Sequence, residues 1–200
     1  MNNFIEIDTL PVYDLQSELI TMLNDGKIYW SKHNQICINS LPTDPDNFLA
    51  GSGSLQYNWS DGPVITQDGS EKYILEKIET PKKETDFSVL CSAFKGTFFE
   101  DIYNKLTSQY CVGRIRLMKS KPKTCLSWHT DSSPRIHYPL KTQEGCFMVI
   151  NDEIKHMELN TWYWTKTTQT HTAFNASKED RIHLVVSVME KSTKDKLCYR

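Results

Sequence analysis

The sequence predicts a mainly β fold, a jelly-roll core with an N-terminal α/β extension and flanking helices, and three observations predict it. From residue 112 onward apolar residues recur with a period of two, which is the pattern of half-buried strands. Eight short runs of this kind succeed one another across turn-rich connections with no helix-length pattern between them, which argues against a parallel βαβ sheet. Eight is also the strand count of a jelly roll. Before residue 110, by contrast, the chain carries two helical repeats and one long polar excursion.

Residues 13–24 place Leu15, Leu19, Met22 and Leu23 on one helical face, with Asp14 near the start and Gly26 just past the end. This predicts an amphipathic first helix. Within residues 44–71, 14 of 28 residues are Gly, Ser, Asp or Asn, and four of the eight glycines lie there. A long functional loop is expected, shaping specificity over the mouth of the core. Thr97 to Glu100 reads as a capping box, and Ile102, Tyr103, Leu106 and Tyr110 continue it at helical spacing, so a second helix is expected over 98–109. Extended runs are then expected at 112–118, 125–129, 135–140, 146–150, 154–159, 161–165, 170–174 and 182–188.

The chain has 200 residues, 38% hydrophobic and 11% aromatic, enough to bury a core as one domain. We expect a single unit, in which residues 1–109 form the extension, 110–190 the core and 191–200 a polar tail. The apolar run 184–189 is far short of the roughly 20 residues that span a bilayer, and residues 1–10 show no leader pattern, so the expectation is no membrane and a cytoplasmic setting. Six cysteines lie at 37, 91, 111, 125, 146 and 198, with no CxxC pair among them, and read as reduced thiols. Residues 1–100 hold 7 Lys/Arg against 15 Asp/Glu, whereas 101–200 hold 16 against 10. A basic half within a chain of net charge −2 suits a small anionic co-substrate better than a nucleic acid.

His129-Thr130-Asp131 is an H-x-D sequence at the end of a strand, where alternate side chains share a face and can address one ion. Chance alone supplies about 0.4 such pairs in a chain of this composition, so the pair gains its weight from two residues further along the chain. His171 lies 40 residues after Asp131 in another strand, and Arg181 ten residues beyond that, opening the last apolar strand. Two histidines and one carboxylate leave open positions on a metal, the arrangement of non-haem Fe(II) oxygenases. A planar guanidinium inside a barrel is a directional anchor for a carboxylate.

The elements His129-Thr-Asp131, Arg135-Ile-His137-Tyr-Pro-Leu140, His171-Thr-Ala-Phe-Asn175 and Arg181-Ile-His183-Leu-Val185 resemble, in order and spacing, the aspartyl/asparaginyl β-hydroxylase-like branch of the Fe(II)/2-oxoglutarate-dependent oxygenases. The resemblance covers about residues 110–190 and implies a double-stranded β-helix, a jelly roll of cupin-like type. It implies that His129, Asp131 and His171 form the catalytic iron site, that Arg181 anchors the distal carboxylate of 2-oxoglutarate, and that Arg135 and His137 match an R-x-H that holds the co-substrate beside the metal. Some members lack the acidic ligand; Asp131 is present here, which favours hydroxylation over halogenation. The implied reaction uses O2, releases succinate and CO2, and hydroxylates an amino acid, either free or within a peptide or protein. The alternative is a non-catalytic cupin-like protein that binds a metal or ligand, which a solvent-facing Arg181 would favour. A zinc hydrolase would have no use for that arginine.

The remaining polar and aromatic residues have ordinary readings. His33, His156 and His183 are expected to be core or surface residues. Tyr138 alternates away from Arg135 and His137 and is expected to be structural. Trp162-Tyr163-Trp164 reads as core packing, and Trp128, pointing away from His129 by alternation, is expected in the core.

Overall fold

A computed structural model describes residues 2–59 and 64–189. The N-terminal part begins with β1 (Phe4–Ile7), α1 (Leu15–Asn24), β2 (Gln35–Cys37) and β3 (Asn39–Ser40). Four short strands come next, β4 (Tyr57–Trp59), β5 (Val64–Ile65), β6 (Glu71–Lys72) and β7 (Leu75–Lys77), and then a 3-10 turn at Glu84–Asp86, β8 (Val89–Leu90) and α2 (Phe98–Gln109). The core contains β9 (Val112–Ser120), β10 (Thr124–Cys125), β11 (Arg135–Lys141), β12 (Cys146–Ile150), β13 (Glu153–Lys155), β14 (Trp162–Thr165), β15 (His171–Asn175) and β16 (Arg181–Val188). The expected tail at 191–200 lies outside the described residues.

Two antiparallel sheets face each other, with strand orders β1-β14-β11-β16-β9-β2 and β10-β15-β12-β13. This is the expected jelly-roll architecture, mainly β with two flanking α-helices. The six-stranded sheet is larger than expected because two strands from the N-terminal extension join its edges. Among the described residues no helix is long and apolar enough to cross a membrane.

The period of two decides what each face of the large sheet meets. Ile115, Leu117, Ile136, Tyr138, Leu140, Trp162, Leu184, Val186 and Val188 point outward from the barrel and pack with Leu15, Leu19 and Met22 of α1 and Phe99, Ile102 and Leu106 of α2 in one buried cluster. Arg114, Arg116, Arg135, His137, Arg181, His183 and Ser187 alternate with them and line the opposite, interior face, where all are buried. The helices thus seal one side of the sheet, leaving the other for polar chemistry. A small second cluster of Phe4, Met148, Ile150, Met157, Tyr163 and Ala173 joins the two sheets.

The helices begin where their caps place them. The Asp14 side chain accepts from the Ser17 N–H at 3.1 Å, and the Thr97 hydroxyl accepts from Phe99 N–H at 3.2 Å. Glu100 reaches back one residue beyond the expected capping-box partner, accepting from Gly96 N–H at 2.7 Å.

Three expectations change. Within the loop at 44–71 and just beyond it the described residues form two short antiparallel pairs, β4 with β7 and β5 with β6, the latter closed by a turn in which Gly69 has φ +80°. The run at 154–159 is a strand only over Glu153–Lys155, with Ile154 63% exposed. The run at 125–129 is interrupted: Cys125 pairs with Phe174, but His129 pairs with His171, so one extra residue bulges out between the two pairs. Trp128, in this bulged stretch, is 57% exposed rather than buried.

Candidate active site

The bulge delivers His129 to the end of β15. The His129 N–H donates to the His171 carbonyl at 3.0 Å and the His171 N–H donates back at 2.9 Å, locking the two histidines opposite each other with ring centroids 4.2 Å apart. Asp131 is fixed by its own N–H, which donates to the Thr167 carbonyl at 2.9 Å. One ligand atom from each of His129, Asp131 and His171 falls within 4.8 Å of the others, with His171 Nε2 at 3.7 Å from Asp131 Oδ2.

Hydrogen bonding selects the tautomers. His129 Nδ1 lies 2.7 Å from the Ser127 carbonyl and His171 Nδ1 lies 3.0 Å from the Gln169 carbonyl. A carbonyl only accepts, so each Nδ1 carries the proton and each Nε2 presents a lone pair to the shared space. Burial lowers the pKa of His171, and the neighbouring His129 works in the same direction, against the Gln169 hydrogen bond and the charge of Asp131. The balance keeps its ring neutral and able to ligate. Two imidazole nitrogens and a carboxylate oxygen, converging from two chain segments, fit a divalent iron with open positions. His171 is buried while His129 is exposed, so the site opens to solvent on the side of His129, beside the exposed Leu126 and Trp128.

Deeper in the barrel, Arg181 is 7% exposed and its Nη2 lies 3.1 Å from His183 Nδ1. No carboxylate lies within ion-pair distance of it among the described residues. Burial pulls its pKa down to about 10, which still leaves it charged at neutral pH. A buried guanidinium without a protein carboxylate is costly, and a carboxylate-bearing ligand removes that cost. His137 is buried between this end and the histidine pair, with neither ring nitrogen hydrogen-bonded within the described protein. Burial, reinforced by the charges of Arg181 and Arg135, holds its pKa well below the usual imidazole range, so it is neutral.

Arg135 is braced on several sides. It donates to the Ser133 carbonyl at 3.2 Å and to the Ser133 hydroxyl at 2.5 Å, and its Nε lies 3.3 Å from Asp131 Oδ2. Behind it stands Glu84, a buried carboxylate from the 3-10 turn, at 3.6 Å from Arg135 Nη2 and paired with Arg114 through two contacts of 2.9 Å. Burial favours the protonated acid, but the hydrogen bond and charge of Arg114, with Arg116 and Arg135, outweigh it and hold the Glu84 pKa at about 2. Arg114 Nη1 also donates to the Gly51 and Gly53 carbonyls at 2.7 and 2.8 Å, tying the start of the long loop to the barrel.

The structure therefore brings His129, Asp131, His171, Arg135, His137 and Arg181 into one polar interior. Glu84, Arg114, Arg116, His183 and Ser187 belong to the same interior and were not among the expected site residues. For Arg114 and Arg116 a signal was present: charges at a period of two between Ile115 and Leu117 mean that one face of a buried strand is polar. Glu84 has no such signal, because it lies outside any periodic segment.

Residues 82–191 match the family model described as aspartyl/asparaginyl beta-hydroxylase. The chain belongs to this family. It is accordingly a hydroxylating oxygenase, and the histidine–aspartate–histidine cluster gives it a place for iron. No curated protein sequence matches this chain significantly. Among solved structures, an oxidoreductase of the 2OG-Fe(II) oxygenase family from Burkholderia pseudomallei is similar at 12% identity, covering 92% of this chain and 83% of that one with a TM-score of 0.48. The ribosomal oxygenase YcfD of Escherichia coli is similar at 15% identity, covering 88% and 52% with a TM-score of 0.37. AerE from Microcystis aeruginosa shares 17% identity over 38% of this chain and 36% of its own, with a TM-score of 0.34. The match thus spans little more than a third of AerE and about half of YcfD. These likenesses are loose, and the family assignment rests on the sequence match.

Proposed function

We propose that this oxygenase is an Fe(II)- and 2-oxoglutarate-dependent dioxygenase that hydroxylates an amino acid, free or within a peptide or protein. The observation that carries the reading is the convergence of His129 Nε2, His171 Nε2 and an Asp131 carboxylate oxygen within 4.8 Å, with both Nδ1 protons already donated to carbonyls. Iron bound there with 2-oxoglutarate supplies the oxidising chemistry, consuming O2 and releasing succinate and CO2 as the substrate gains a hydroxyl. The protein's own residues position and exclude. Arg181 pairs with the distal carboxylate of the co-substrate, and Arg135 and His137 hold its keto-acid end beside the metal. Neutral His137 donates or accepts without adding charge to an interior rich in arginine. The apolar outer face of the large sheet, sealed by α1 and α2, keeps water from entering behind the site.

In this reading the residues up to 109 are not a separate unit. They contribute β1 and β2 to the sheet and Glu84 to the interior, so the chain acts as a single oxygenase domain around the core at 110–190. The substrate approaches from the exposed side of His129. Five described cysteines are unpaired, which suits a reducing compartment such as the cytoplasm. The alternative of a non-catalytic binder is less well supported, because Arg181 is buried rather than solvent-facing. The test is succinate formation from 2-oxoglutarate in air by the iron-loaded protein. Slow turnover without substrate is expected, abolished in His171→Ala. Succinate formation that is the same with and without His171 would refute the reading.

A further inference from the structure

The barrel interior holds more positive charge than the co-substrate uses. Arg114, Arg116, Arg135 and Arg181 are each no more than 7% exposed, and the carboxylates facing them are Glu84 and Asp131. Bound Fe(II) and 2-oxoglutarate carry opposite double charges and cancel, so the loaded site keeps the same excess of two cations. Arg114 takes Glu84 in a two-point pair, and Arg135 lies between Glu84 and Asp131. Arg181 is accounted for by the distal carboxylate of 2-oxoglutarate. Arg116 is left over.

Its surroundings are those of a binding group awaiting a ligand. Arg116 Nη1 donates to Gln35 Oε1 at 3.1 Å and to the Gly53 carbonyl at 3.5 Å, while its buried Nε has no partner among the described residues. Among the described residues no acceptor meets the side-on Nε–Nη2 edge, the one suited to a carboxylate. Strand register sets other unpaired groups around it. Val185 pairs with Arg116 on one side and His137 on the other, and Ser187 pairs with Arg135 in the next row. Ser187 Oγ and both His137 ring nitrogens are likewise buried and unpartnered. Leaving one buried polar atom unpaired costs stability, and here several lie on three adjacent strands around a guanidinium.

We propose that Arg116, with Ser187, forms a second anion subsite, separate from Arg181 and beside the His137 that faces the co-substrate, that takes a carboxylate of the substrate. This rests on the Fe(II) and 2-oxoglutarate reading above and deepens it: the substrate is a carboxylic acid, preferred over its amide. A carboxylate offers two acceptors to the guanidinium edge. An amide would set its own N–H donors against that edge and leave the charge uncompensated.

The probes are acetate and its neutral counterpart acetamide, added to the full-length protein loaded with redox-inert Mn(II), with thermal unfolding as the readout. In the wild type, saturating 2-oxoglutarate raises Tm, and acetate then adds a second, saturable increment that acetamide does not give. Arg116→Gln keeps the first increment and weakens acetate binding by at least about tenfold, as expected for losing a charged hydrogen-bond partner. Arg181→Gln does the reverse. Should Arg116→Gln fail to fold, Arg116→Lys serves, retaining the charge but losing the two-point geometry and thus part of the acetate increment. An acetate increment that is absent in the wild type, equal in the Arg116 variant or matched by acetamide overturns the proposal. So does loss of the 2-oxoglutarate increment in Arg116→Gln alone, which would place Arg116 in the co-substrate pocket. A wild type that shows no 2-oxoglutarate increment overturns the underlying reading instead, a failure recognisable because it does not depend on Arg116.

Discussion

Arg181 and Trp128 illustrate how differently two residues near one metal site can matter. Arg181 is buried with a histidine as its sole polar contact among the described residues, so its charge has meaning only with an anionic ligand. Arg181→Gln should weaken 2-oxoglutarate binding by about 10- to 100-fold, the loss of roughly 1.5–3 kcal/mol for a hydrogen bond to a charged group. Binding of Mn(II), read by its electron paramagnetic resonance signal, should be unchanged. Trp128 is 57% exposed. Trp128→Ala should leave stability within about 0.5 kcal/mol of wild type in denaturant unfolding. A larger loss would mean that Trp128 is packed after all, as its sequence context suggests.

At the scale of elements, the site depends on parts of the chain that approach closely. Gly113 in β9 is such a place, because a Cβ there would lie 2.6 Å from Glu84 Cβ and 3.2 Å from Ser187 Cβ. Gly113→Ala should push the 3-10 turn off the strand, costing about 1–3 kcal/mol in denaturant unfolding. It should also weaken co-substrate binding, since Glu84 braces Arg135. The N-terminus of α2 makes a simpler prediction: Thr97→Ala removes the side-chain cap on Phe99 N–H and should cost about 1 kcal/mol without changing the site. Legibility also divides by element. Both helices, β9, β11, β12, β14, β15 and β16 can be read from apolar spacing, because each has one face in a core. The bulge before His129 cannot, since inserting one residue changes register without changing composition. β1 and β2 are too short for a periodic signal and are recruited by the open edges of β14 and β9. The proposed metal ligands were legible because they are few and chemically specific, whereas Glu84 acts only through a contact that sequence does not record.

For the whole molecule, the buried charge cluster links stability to pH. The Glu84 pKa falls from an ordinary 4.5 to about 2 in the fold, so the carboxylate contributes stability that is fully present above pH 4.5. That contribution is lost as pH falls from about 4.5 towards 2. At about 1.4 kcal/mol per unit, it amounts to something of order 3 kcal/mol. Denaturant unfolding should therefore show a loss of stability across that window that is much shallower in Glu84→Gln. The variant should itself be less stable at neutral pH, because the three arginines around Glu84, Arg114, Arg116 and Arg135, then lose its charge. Equal acid limbs in both proteins would show that Glu84 is not ionised in the fold.

The proposed function requires that His129, Asp131 and His171 hold iron and that Arg181 hold the distal carboxylate of the 2-oxoglutarate chelating it. Its most direct test is anaerobic titration of the Fe(II)-loaded protein with 2-oxoglutarate, observed through the visible charge-transfer band that a 2-oxo acid gives on chelating Fe(II). We expect the band in the wild type, its loss in His171→Ala, and a shift to much higher 2-oxoglutarate concentration in Arg181→Gln. Absence of the band from folded, iron-loaded wild type, or its persistence in His171→Ala, would contradict the claim.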